Sequence, residues 1–277
     1  MNSFDKTLFV FRYLVLALIF ASTLSFASEP YWQQYVHYTI AAALHPDPNT
    51  ITGSESLVYK NNSPDTLKEV YFRLYWNLFT KGSHGQQFAR RNKDYSFDVS
   101  GGVTVKSFTI GAGKDTVTPA YTIDNTLMRI PLPKALAPGD SIAFACSWEE
   151  NIPDGDNGRS GHDGRDYNMG QWYPQISTYD KYGWDKNQFL GPAEFHDEYG
   201  TFDVQVTAPK SFLLGYSGVL LNPEDVYSDS IRTRLKDSFG KDSTTRIADF
   251  SNKEWKDADT AGVTWKFHAE NVRDFAW

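Results

Sequence analysis

From residue 36 onward, apolar side chains recur at every second position in short runs, and each run stops at a cluster of Pro, Asp, Asn or Gly. A period of two is that of a strand with one covered face, and it cannot be accommodated by a helix. Val36, Tyr38, Ile40, Ala42 and Leu44 line one face of the first run, which ends at Pro46-Asp47-Pro48-Asn49. Ile51 to Tyr59 follows, with Gly53, Glu55, Leu57 and Tyr59 on one face, and stops at Asn61-Asn62-Ser63-Pro64-Asp65. These residues preset φ or bond their own backbone, so they make turns. Val70, Phe72 and Leu74 carry a third strand, and Val103 to Ile110 another. Tyr121 to Ile123 and Leu127 to Leu132 read as a hairpin across Asp124-Asn125, and Pro138-Gly139-Asp140 introduces Ile142, Phe144, Cys146 and Trp148. No amphipathic helix of 12 or more residues interrupts this half. Many short strands between turn signals predict an all-β chain, a two-sheet sandwich with mostly antiparallel pairing.

The second half is less regular. Glu149 to Gly170 holds almost nothing apolar and reads as one long loop, a length that often serves a function. Trp172-Tyr173-Pro174 and the aromatic-rich Tyr179 to Phe189 follow. Alternation resumes at Phe202, Val204 and Val206; Leu213 to Leu221 reads as a short strand pair, and Asp225 to Ser243 has weak helical or hairpin character. Val263, Trp265, Phe267 and Ala269 form one more strand, and then Phe275-Ala276-Trp277 places apolar residues at the end. They either fold back on the sandwich or expose a seam toward a further domain.

The first residues read as an export signal. Lys6 and Arg12 precede the run Tyr13 to Phe20, and Ser25-Phe26-Ala27 fits the small-x-small cleavage pattern, so residues 1–27 are expected to be removed and the mature chain to start at Ser28. A membrane anchor is the rival reading, but Arg12 shortens the apolar run below the roughly 20 residues of a spanning helix. The mature chain is expected not to enter a membrane. About 250 residues remain, enough for one large β domain or two small ones. The net charge of −7 keeps the chain soluble and offers no nucleic-acid surface. Cys146 is the one cysteine, so no internal disulfide forms, and burial fits it better than reactivity. An exported chain held by its apolar core suits the periplasm or cell envelope.

The residues that carry chemistry elsewhere are scattered here. None of the six histidines sits in a His-Glu-x-x-His arrangement, the spacing that puts two imidazoles on one helical face. His196-Asp197-Glu198 reads as a solvated surface group, because adjacent strand side chains diverge. Asp154-Gly155-Asp156-Asn157-Gly158 has oxygen donors but lacks the calcium-loop framework, and reads as a hydrophilic loop. Ser160-Gly161-His162-Asp163 has triad residue types in a consecutive order that seldom gives triad geometry, and no Gly-x-Ser-x-Gly elbow is present. No catalytic or metal-binding residue and no cofactor is therefore assigned to this chain. The polar stretch from Arg159 to Asn168 beside Gln171, Trp172 and Tyr173 could line a cleft, or the aromatics could simply cover the end of a sheet.

Several stretches resemble the amino-terminal domain of the M1 zinc aminopeptidases, the aminopeptidase N and leukotriene A4 hydrolase family. They are Tyr38 to Leu44, Ile51 to Glu55, Tyr59 to Leu67, Val70 to Leu74, Trp172-Tyr173-Pro174, Tyr199 to Val204, Pro209-Lys210 and Trp265 to Trp277, in order over nearly the whole mature chain. The resemblance implies a saddle-like β domain spanning residues 28–277, packed on a thermolysin-like catalytic domain that would begin past Trp277. The zinc, its ligands and the general base would belong to that missing partner domain. The family's amino-terminal domain also lends one Gln or Glu near the substrate's free α-amine, shortly before Trp-Tyr-Pro. Gln171 is the nearest residue of that type and Asp166 the nearest carboxylate. Gln171, Asp166, Trp172 and Tyr173 are thus the candidate substrate-binding residues, on the wall that receives a peptide N-terminus. The alternative is a free-standing envelope module that binds peptide or glycan through residues 154–173.

Overall fold

The computed structural model describes residues 31–93, 97–155, 159–191, 196–248 and 261–277. Met1–Trp32 and Gln33–Trp277 are separate units, and the fold is that of the second. The proposed signal, residues 1–27, and much of the Asp154 to Gly158 loop lie outside the described residues.

Fifteen strands among the described residues account for the architecture. They are β1 (Tyr35–His45), β2 (Thr50–Lys60), β3 (Leu67–Arg73), β4 (Gly102–Ile110), β5 (Thr122–Asp124), β6 (Leu127–Leu136), β7 (Ser141–Asn151), β8 (Ser160–Asp163), β9 (Asp166–Met169), β10 (Gln175–Ile176), β11 (Tyr179–Asp180), β12 (Gly183–Trp184), β13 (Gly200–Pro209), β14 (Val219–Leu220) and β15 (Gly262–Val272). One sheet has the order β14-β15-β13-β1-β2-β7-β4, and a second has β10-β3-β6-β5. The pairing is antiparallel throughout both sheets except for β1 with β13. The chain is therefore all-β and mostly antiparallel, as its alternation predicts.

Burial follows the period of two. Val36, Tyr38, Ile40, Ala42 and Leu44 of β1 are buried, and so are Ile51, Glu55, Leu57 and Tyr59 of β2. The register sets Leu57 opposite Phe144, and Phe144 and Phe108 meet Phe72 of the smaller sheet edge-on at 5.5 and 5.2 Å. These rings are the contact between the two sheets. Gly53 makes room for Trp148: a Cβ there would lie 2.4 Å from the indole. β3 departs from strict alternation, with Val70, Tyr71, Phe72 and Arg73 all buried. Its outer face is covered by the segment around β11 and β12, where Arg73 pairs with Asp185 at 2.6 Å and Lys186 lies over the Tyr71 ring.

Some expectations are corrected. Glu149 to Gly170 is not one loop, because β7 runs on to Asn151 and β8 and β9 form a two-stranded ribbon. Leu213 to Leu221 yields only the short strand β14. Two helices, α1 (His84–Arg91) and α3 (Asp229–Ser238), flank a single turn α2 (Pro223–Val226) in sequence, and α2 and α3 settle the 225–243 stretch as helical over its first half. Asp197 and Glu198 are buried rather than solvated. Asp197 accepts the Tyr75 hydroxyl at 2.8 Å, so the neighbouring 3₁₀ turn Tyr75–Phe79 holds it inside. Phe275 is fully buried against Phe202 and Phe267, so the closing segment folds back on the sandwich.

Candidate functional site

The closing segment and the stretch before Trp172-Tyr173-Pro174 are bound to one another. Met169 and Trp277 exchange both backbone hydrogen bonds, at 2.9 and 3.1 Å. The Gln171 N–H donates to the Asp274 carboxylate at 3.1 Å, the Trp172 indole N–H donates to the Phe275 carbonyl at 2.8 Å, and the Gln175 amide donates to the Arg273 carbonyl at 2.7 Å. Beside this seam lies an open groove of about 800 Å³, with Arg159, Gln171, Tyr216, Ser217, Asp274 and Trp277 in its walls. A second groove of about 470 Å³ adjoins it and shares Tyr167, Asn168, Gly215 and Trp277.

Gln171 is the unusual member. Its φ is +58°, a left-handed backbone that costs a residue with a Cβ roughly 1–2 kcal/mol. Only 3% of it is exposed, yet its Nε2 has no hydrogen-bond partner. An unpaired buried amide donor costs about 1–3 kcal/mol. Its neighbour Asp274 is pushed up from the usual carboxylate range, chiefly by burial; the Gln171 and Phe275 N–H groups, the Tyr173 hydroxyl and Arg159 oppose the shift. The wall of this groove thus combines an amide donor, a carboxyl group, a guanidinium and an indole. Such a set can accept from an ammonium or donate to a carbonyl.

The four candidate residues are not brought together. Gln171 lines the larger groove, and Asp166 is exposed at the start of β9 in the smaller one. Trp172 and Tyr173 are fully buried. Trp172 packs against Trp148 and Trp277, and Tyr173 against Tyr38 and Phe202, so both support the wall from behind. Asp274 enters the site without having been singled out from the sequence, and Arg159 only as the first residue of the polar stretch 159–168. The signal available was only their proximity to the two motif stretches, which says nothing of a contact 100 residues apart.

Elsewhere the described residues contain no group of three or more His, Cys, Asp or Glu able to hold a metal ion. His162 sits in β8 with its Nε2 3.9 Å from Asp154, and its ring stacks on Tyr167. Burial pushes the Cys146 thiol up. Burial also pushes Asp197 and Glu198 up to about 7. On the outer face of the larger sheet, the Asp203 carboxylate lies between two imidazoles, with His37 and His268 each 2.7 Å from one of its oxygens.

No family model matches the chain, and no curated protein matches it. Among solved structures, it is similar to a two-domain M1 zinc metallopeptidase mutant bound to L-tryptophan, at 13% identity and a TM-score of 0.43, over 89% of this chain and 42% of that one. It is similar likewise to an M1 zinc metallopeptidase from Deinococcus radiodurans, at 13% identity and a TM-score of 0.43, over 88% of this chain and 41% of that one. The chain spans about two fifths of the length of the solved structures it matches. Among the described residues, no helix is long and apolar enough to cross a membrane.

Proposed function

We propose that this chain is the non-catalytic amino-terminal β domain of an exported zinc metallo-aminopeptidase of the M1 type. In this reading it packs on a zinc-bearing catalytic domain and supplies part of the wall that receives a peptide N-terminus, in the periplasm or cell envelope after loss of residues 1–27. One observation carries it. Trp172, in one stretch that resembles the family, donates to Phe275 in another, Trp265 to Trp277, and Gln171, Asp274 and Trp277 beside that bond wall a groove. The groove presents Gln171, whose side-chain Nε2 is buried without a hydrogen-bond partner.

The role of Gln171 in this reading is positional. Its side-chain carbonyl, or the carboxylate of Asp166 from the adjoining groove, accepts from the substrate's ammonium and fixes the register of the peptide. The polypeptide encoded past codon 277 is then expected to carry His-Glu-x-x-His-x18-Glu. With that domain present, aminoacyl reporter substrates are hydrolysed in a zinc-dependent manner, and Gln171→Ala raises KM more than it lowers kcat. The 277-residue chain alone gives no turnover with added zinc. Zinc-dependent turnover by the pure chain alone would overturn the proposal, as would a longer polypeptide whose KM is untouched by both Gln171→Ala and Asp166→Ala.

A further inference from the structure

The ribbon of β8 and β9 has one edge that the chain begins to cover and then leaves. In an antiparallel ladder, the residues of a strand turn their N–H and C=O alternately to one neighbour and the other. Gly170 donates to Arg159 of the β8 side, while Met169 spends both its groups on Trp277. Met169 therefore faces away from β8, and so does Tyr167, two residues back on the same edge. The reciprocal bonds between Met169 and Trp277 make their pairing antiparallel. A strand continuing from Trp277 thus meets Asn168 first and Tyr167 second.

The space for such a strand is present. The groove of about 470 Å³ runs on from Trp277 along β9, between Asp166 and Tyr167 on one side and Phe212 to Gly215 on the other. The Tyr167 and Phe212 rings meet edge-to-face at 5.6 Å, and Arg165 covers Phe212. The opposite wall already engages the closing segment, because the Ser217 N–H donates to the Ala276 carbonyl at 2.9 Å. An open strand edge inside a groove, with its direction and register already set by one bonded pair, is the arrangement used by strand addition.

We propose that the edge of β9 at Tyr167 is a docking site for an extended polypeptide strand, and that its occupant is the first segment of the adjoining catalytic domain, running antiparallel to β9 from Trp277. The inference rests on the reading of the preceding subsection, since that reading supplies the occupant. The two domains then share a three-stranded ribbon. The wall bearing Gln171 is tied to the catalytic domain by backbone hydrogen bonds two residue pairs away from Met169 and Trp277.

Amide hydrogen exchange at Tyr167, followed by NMR, tests this in the chain itself and in the chain extended by Thr-Val-Thr after Trp277. The extension is expected to slow Tyr167 exchange at least about tenfold and to bring its first residue's α-proton within contact of that of Asn168. Proline at the second added position lowers the protection, because it lacks the N–H that would donate to the Tyr167 carbonyl and its ring crowds that edge. Proline at the first added position leaves it. Unchanged exchange on extension, equal effects of the two prolines, or protection of the unextended chain that grows with protein concentration would overturn the inference, the last by showing a second copy on the edge. In the longer protein the two proposals separate. Zinc-dependent activity with an unprotected Tyr167 refutes the shared ribbon alone, and protection without activity refutes the aminopeptidase reading alone.

Discussion

Two glutamates on the inner face of the larger sheet give the sharpest quantitative test of this fold. Glu55 and Glu150 are 4% and 1% exposed, and three of their four carboxyl oxygens have no hydrogen-bond partner. Burial raises both well above the ordinary 4.5, and the nearby Glu55 raises Glu150 further. Both therefore hold their protons to higher pH in the folded protein than in the unfolded chain. Unfolding exposes them, and above 4.5 they ionise. A group whose folded pKa is raised contributes stability that is fully present below its unfolded pKa and is lost as pH rises toward the folded one. Each proton that the folded chain holds and the unfolded chain has released lowers stability by about 1.4 kcal/mol per pH unit.

Glu55→Gln keeps the shape and removes the titration. Denaturant unfolding at pH 5.5, 6.5 and 7.5, followed by tryptophan fluorescence, is expected to show the variant losing stability about 1.4 kcal/mol per pH unit less steeply than the parent. The two curves converge toward pH 4.5, and the variant is the more stable at pH 7.5. Glu150→Gln behaves likewise, and the double variant flattens the profile by about 2.7 kcal/mol per pH unit. Groups with the opposite sign, such as Asp203, are common to all four proteins and cancel in the comparison. Parallel slopes for parent and Glu55→Gln between pH 5.5 and 6.5 would refute the reasoning, because they require the folded protein to hold Glu55 ionised.

Other expectations follow from single contacts. Gly53→Ala forces a Cβ into the Trp148 indole and is expected to lower stability by about 1–3 kcal/mol, read as a fall in the denaturation midpoint at constant slope. His268→Ala is expected to cost less than about 1 kcal/mol at pH 5.5, since the Asp203 pair is solvent-screened. Its partner Asp203 raises the His268 pKa, so the cost is present below 6.5 and disappears as pH rises through the folded value. Trp172→Ala removes a fully buried indole and its bond to the Phe275 carbonyl, costing about 3–5 kcal/mol in chemical denaturation. Any ligand binding lost in that variant should track the fraction unfolded, contrary to what a contact residue in the 154–173 stretch would show.

Legibility in the sequence followed the physics of each element. The sandwich was readable because alternation and turn residues agree, as at β1, β2 and the β5–β6 hairpin. The ribbon of β8 and β9 was hidden because Arg159, Asp163, Asp166 and Asn168 leave no apolar period; backbone pairing and the bridge to Trp277 hold it instead. Helix α1 did carry a local signal in Ser83-His84-Gly85-Gln86. The Ser83 hydroxyl caps the Gln86 N–H at 3.0 Å while the Gln86 side chain accepts the Gly82 N–H, a variant of the capping box. Asp197 and Glu198 were misplaced because their charge suggests solvent, whereas the Tyr75 hydroxyl and the cover of the β11–β12 segment keep them inside. For Gln171 the sequence offered the residue type and its place before Trp172. It could not show the left-handed backbone that turns the chain there, nor the Asp274 carboxylate that fixes it from the far end of the chain.

The distribution of polar groups gives the groove its meaning. On the outer face of the larger sheet, charges are matched: His37 and His268 flank Asp203, and Lys106 meets Glu149 at 2.9 Å. On the smaller sheet, Arg73 and Arg129 are likewise met by Asp185 and Glu69. Such pairs leave nothing for a ligand to do. At the seam between Met169–Gln171 and Asp274–Trp277 the opposite holds, because Gln171 Nε2 and the Trp277 indole N–H are both buried without acceptors. Folding gains nothing from an unpaired donor, and a hydrophobic residue of similar size at 171 would avoid that cost. Local rules are broken where something other than stability is being served, and here three breaks coincide: a left-handed non-glycine residue, orphaned donors and an open strand edge at Tyr167. In the proposed reading the orphaned donors and the open edge are both met by adding polypeptide to this one face, so the seam, and not the polar loop by itself, is the place where the domain would engage its partner and substrate.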